Sequence, residues 1–247
     1  MSRQPVLGLS ARDMRSYLGN DLSGDLADRC NERLNVDVVV VDLAGDGYTL
    51  QVGGHFVIVV SKTGSWFRQN FSIAHELAHV AQGTMSDQIV NAEDPSETAA
   101  NAFAAELLMP ESQIRSLNWV DIELPVLAQH VWQWGVSTKS LAVRLQSLHM
   151  TPASGVMAAL QATTQAFLRA YWAMPPGPDL ITRRMERSAQ RRFPTSLMSD
   201  LEAAVVAGRA PLASLAFTLG VDENQLEIEP SSLADPARDI SFLDGLV

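Results

Sequence analysis

A chain of 247 residues with 47% hydrophobic content can bury one large core or two modest ones. Its formal net charge of −10 argues against a protein whose main task is coating nucleic acid. Cys30 is the only cysteine, which excludes an intrachain disulfide and a thiolate metal cluster and fits a reducing cytosol.

Met1 to Asn20 carries Arg3, Arg12 and Arg15 but no continuous apolar run, so no signal peptide is expected. The runs Val38 to Val41 and Phe56 to Val60 are too short to span a bilayer, so a cytoplasmic, membrane-free protein is expected. Met14, Leu18, Leu22, Leu26 and Cys30 recur at four-residue steps and predict an amphipathic helix from Met14 to Leu34, weakened by Gly19 and Gly24. Val36 to Leu43, Tyr48 to Val52 and His55 to Ser61 are β-branched segments separated by glycine turns. They predict a small antiparallel sheet, with His55 to Ser61 as a possible docking edge for an extended peptide.

A helix from about Trp66 to Gln82 then carries Phe71-Ser-Ile-Ala-His75-Glu76-Leu-Ala-His79-Val80. A four-residue step is about 400° on a helix, so His75 and His79 stand one above the other. That pair can chelate one Zn²⁺, with Mn²⁺ or another divalent ion as the alternative. Glu76, about 100° further round, can reach a metal-bound water as general base. The bland alternative is a helix with two buried, hydrogen-bonded histidines.

Asp94-Pro95-Ser96-Glu97 opens the next helix, which runs Thr98 to Met109 and stops at Pro110. A catalytic zinc site needs a third protein ligand and an open fourth position. His55 falls in a strand, and His130 and His149 in later helices. Glu97 is the candidate third ligand and Asn101 its neighbour behind the ligands, because both share a face with the small residues Ala104 and Ala105. Glu106 is about 180° away from Glu97. A capping box with Asp94 competes for the same Glu97 carboxylate.

Leu127-Ala128 with Gly135-Val136-Ser137 recurs as Leu212-Ala213 with Gly220-Val221-Asp222, so two helix-turn-helix-like units are predicted. Trp172-Ala-Met-Pro175-Pro176-Gly177-Pro178 reads as a linker, with a domain boundary there or slightly earlier. Arg183, Arg184, Arg187 and Arg191 fall within about a 100° arc of one helix and offer a surface for an acidic partner. A solvated face is the plainer reading of that cluster, and duplex DNA is a disfavoured ligand. Asp222 to Asp244 holds seven acids and could cover the arginines as an electrostatic latch.

Phe71-Ser-Ile-Ala-His-Glu-Leu-Ala-His79 followed by Glu97-Thr-Ala-Ala-Asn101-Ala-Phe-Ala-Ala-Glu-Leu-Leu-Met-Pro110 resembles the ImmA/IrrE family of bacterial and phage metallopeptidases. The likeness extends over roughly residues 10 to 150 and departs mildly at Ala78, where the family pattern has Gly. It implies His75, His79 and Glu97 as zinc ligands. The fold class it implies is α+β: a mostly helical zincin-like domain over 1–150 with a small antiparallel sheet. That domain ends in a helix-turn-helix-like segment at about 124–150, before a helical C-terminal domain over 151–230 and an acidic tail over 231–247. Members resembling this chain cleave a helix-turn-helix repressor in the cytoplasm, so the implied activity is a zinc-dependent endopeptidase that derepresses stress or mobile-element genes. The competing reading is a non-proteolytic regulator or toxin–antitoxin component with a structural or vestigial metal site. Glu76 separates the two, because neither binding nor structure needs a base beside the metal.

Overall fold

The computed structural model describes residues 3–22, 24–52, 54–84 and 94–226. The chain divides into two units, Met1–Arg192 and Phe193–Val247.

The first unit begins with two helices where the periodicity predicts one. α1 (Ala11–Leu18) ends at Gly19, whose φ of 90° leaves the helical region. α2 (Leu26–Arg33) starts at Asp25, whose carboxylate accepts from the N–H groups of Ala27 and Asp28. Met14, Leu18, Leu22, Leu26 and Cys30 are nevertheless all 0% exposed, so the apolar stripe survives the break.

The sheet is mixed, not antiparallel as expected. β1 (Val36–Val41), β2 (Gly47–Val52) and β3 (His55–Ser61) lie in the order β1-β3-β2. β3 pairs antiparallel with β2 through a hairpin and parallel with β1. The 42–46 connection carries the chain past the position beside β1, and the hairpin return lays β3 into that gap. β1 is buried along Val36 to Val40, the near-continuous apolar run that a parallel strand favours. The central position of β3 removes His55 to Ser61 as a docking edge, since both of its sides are taken. β1 closes its outer side by exchanging two 2.8 Å backbone hydrogen bonds between Val40 and Arg192. The other flank of the sheet is β2.

α3 (Trp66–Gln82) packs on the sheet, and α4 (Pro95–Leu108) packs on α3 through Ala100, Ala104, Leu107 and Leu108. After α5 (Glu111–Arg115), α6 (Leu124–Trp134) turns at Gly135 into α7 (Thr138–Ser147). Gly135 has φ 64°, and an added Cβ would lie 2.5 Å from Asn70 Nδ2. That amide of α3 donates to Gly135 O at 3.0 Å, so the α6–α7 turn is pinned to the motif helix. Ser137 caps α7 by accepting from Ser140 N–H.

α8 (Ser154–Ala159), α9 (Thr164–Tyr171) and α10 (Leu180–Ser188) pack with the same unit, which extends it well beyond the expected break near residue 150. Trp172 stacks on Trp132 with ring centroids 4.1 Å apart. Ser188 O, at the last residue of α10, accepts from Thr63 N–H and Gln69 Nε2. The Pro-rich stretch after Trp172 is thus a surface crossing inside one unit.

The second unit comprises α11 (Thr195–Val206), α12 (Leu212–Leu219) and a single 3-10 turn at Glu223–Gln225. Leu215 and Ala216 are buried, and Phe193 meets Phe217 edge-on. Gly220 is left-handed and Asp222 caps the 3-10 turn, but up to Leu226 no second α-helix follows such as the repeated pattern predicts. The predicted acidic tail over 231–247 lies outside the described residues. No described helix is long and apolar enough to cross a membrane.

Candidate metal centre

The helix that carries the histidines has its register set at both ends. Ser65 precedes its first turn, and Gly83 ends it in the left-handed region at φ 67°. Along α3 the one-face spacing of His75 and His79 brings their Nε2 atoms to 3.1 Å. α4 crosses so that the Glu97 carboxylate meets both imidazoles, at 3.1 Å from His75 Nε2 and 3.2 Å from His79 Nε2. Ligand-capable atoms of all three lie within 4.8 Å of one another.

The rivalry between ligand and cap at Glu97 is resolved by Ser96. Asp94 Oδ1 accepts from Ser96 N–H at 2.8 Å and from Ser96 Oγ at 2.6 Å, which caps α4 without Glu97. Glu106 points away, as its spacing requires. It pairs with Arg144 of α7 and accepts from Glu111 N–H at 3.2 Å.

The groups behind the imidazoles decide which nitrogen faces inward. His75 Nδ1–H donates to Asn101 Oδ1 at 3.1 Å, an oxygen that can only accept, so the Nε2 lone pair of His75 points at Glu97. His79 Nδ1 lies 3.0 Å from Thr84 Oγ1, a hydroxyl that can donate or accept, so this contact holds the ring with either tautomer. The Nε2 atoms of His75 and His79 and the Glu97 carboxylate thus converge on one point. Two imidazole nitrogens and one carboxylate are a donor set suited to Zn²⁺. The residues present fit a divalent ion.

Glu76 lies next to this cluster, 9% exposed, on the side of α3 that meets β2. Thr49 Oγ1 donates to Glu76 Oε2 at 2.8 Å. Gly47, two residues earlier on β2, sits close to β3: an added Cβ would lie 3.1 Å from Val59 O and 3.2 Å from Val60 Cγ1. Sequence reasoning finds neither Thr49 nor Thr84. Thr84 follows the Gly83 cap closely enough to be suspected, whereas nothing in the β2 sequence marks Thr49.

The arginine group is gathered elsewhere, and much of it faces inward. Arg184 lies over the rings of Trp66 and Trp132, 5.3 and 4.9 Å from their centroids, and donates to Leu22 O at 2.8 Å. Burial lowers its pKa to about 10, so it stays charged near neutrality. Arg187 pairs with Asp25 at 3.1 Å and with Asp28, while Arg192 joins Asp25 and Gln69. Arg183 and Arg191 are exposed on α10 and just after it. Arg184 and Arg187 therefore tie α10 to α2 and α6, and do not form one outward face with Arg183 and Arg191.

Residues 31–146 match the model of a peptidase family described as the IrrE N-terminal-like domain. No curated protein matches the chain.

Proposed function

We propose that the chain, whose residues 31–146 match the IrrE N-terminal-like peptidase family, is a zinc-dependent endopeptidase whose substrate is a helix-turn-helix repressor in the cytoplasm. The observation that carries the reading is the convergence of His75, His79 and Glu97, with the carboxylate of Glu76 next to His75 on the same helix. A structural or vestigial site has no use for such a base.

A divalent ion held by His75, His79 and Glu97 would supply Lewis acidity to a scissile carbonyl and acidify a water. Glu76 takes the proton of the attacking water and returns it to the leaving amine. Thr49 holds one Glu76 oxygen, which leaves the other free to face the reacting atoms. β2 is paired only on its β3 side among the described residues, so an extended peptide can add to its other edge. Thr49 lies in that strand, so a peptide docked there passes beside Glu76. Cleavage of a repressor would derepress the genes it silences.

The test is co-expression with a helix-turn-helix repressor encoded beside this gene, in wild-type and Glu76→Gln forms. Glu76→Gln removes the base and no ligand, so it should keep stoichiometric metal and lose hydrolysis by about 10²–10⁴-fold. Cleavage at the wild-type rate by this variant would sink the reading.

A further inference from the structure

A groove of about 890 Å³ lies between the start of α3, the outer face of α7 and the α8–α9 segment. Its floor is apolar: Phe67, Leu145, Met157 and Leu160 line it, with Val143 standing 58% exposed at the side. Lys139 is the one charged residue among the described residues lining it, and none is acidic, in a chain of net charge −10. Lys139 and the side-chain amides of Gln146, Gln161 and Gln165 make no hydrogen bond or ion pair with described residues. An apolar floor ringed by a few unengaged polar groups is the general pattern of a recognition site.

The groove begins on the helix that carries the imidazoles, since Phe67 of α3 lines it and precedes His75 by eight residues. Eight residues at 1.5 Å each put Phe67 roughly 12 Å from His75 along the axis.

We propose that this groove is an exosite that holds an apolar, acid-bearing segment of the protein substrate at a distance from the scissile bond. The apolar floor takes the segment's side chains, Lys139 takes its carboxylate, and the glutamine amides meet its backbone. As an exosite it rests on the peptidase reading, but the contact itself is a binding event that can be measured without hydrolysis.

The probe is a pair of dodecapeptides of Leu and Ala with either Glu or Lys at the polar positions, titrated against the full-length chain by calorimetry at low salt. The Glu peptide should bind saturably, one per chain, and several-fold tighter than the Lys peptide. Lys139→Glu, at an exposed position, should reverse that order. Val143→Asp places an acid in the groove without touching the core and should weaken the Glu peptide by about five-fold, the scale of one exposed charge contact. Neither variant should change the hydrolysis of a short unstructured peptide. No saturable binding, or binding indifferent to both variants, overturns the proposal. A metal-loaded chain that binds the Glu peptide as described but hydrolyses nothing would overturn the peptidase reading and leave the groove as a docking site.

Discussion

Asn101→Ala isolates the group behind one imidazole. The Asn101 oxygen accepts from His75 Nδ1–H at 3.1 Å and fixes which nitrogen of His75 faces Glu97. The residue is exposed, so water replaces part of what is lost and the fold is not at stake. A hydrogen bond of this kind is worth about 1 kcal/mol net, or about five-fold in a binding constant. Partners that orient metal-binding histidines are worth about 10–100-fold in affinity, because the ring loses orientation as well as the bond. Solvent exposure places the expectation at the lower end, about ten-fold weaker Zn²⁺ binding. The assay is a competition titration against a chromophoric chelator near neutral pH, with urea unfolding of the metal-free chain as the control. Asn101→Asp keeps an acceptor and adds charge, so it should bind at least as tightly as the wild type. An Asn101→Ala chain that is folded and binds Zn²⁺ with wild-type affinity would refute the assignment of Asn101 as an orienting residue.

Arg184→Met should lower stability by about 2 kcal/mol in urea unfolding, since it removes two aromatic contacts and leaves Leu22 O and Gly24 O without that donor. A loss below about 0.5 kcal/mol would show that α10 is held by apolar packing alone. Asp179, the cap of α10, has its pKa lowered to about 2 by hydrogen bonds from Thr182 N–H, Arg169 and the Thr182 hydroxyl. Because the folded value is below the unfolded one, its contribution is complete above the ordinary aspartate value of 3.8 and fades as pH falls towards 2. The stability difference between wild type and Asp179→Asn should therefore shrink over that window, and a difference constant across it would contradict the assignment.

Local rules made much of this protein legible. The i, i+4 spacing of His75 and His79, the Gly83 and Pro110 stops and the four-residue apolar steps all depend on helix geometry, which acts over a few residues. Glu97 could be placed on the correct face of α4 but not assigned, because one carboxylate suits a cap and a ligand equally until Ser96 is seen to satisfy Asp94. Long-range packing decided the rest. β1 and β3 are neighbours because the hairpin returns into a gap, a choice that strand propensity cannot register. Thr49 reaches Glu76 across 27 positions, and Arg187 of α10 finds Asp25 and Asp28 some 160 residues away. Helical angles place a side chain on its own helix; whether it then meets solvent, a carboxylate or a tryptophan ring depends on what the rest of the chain brings to that face.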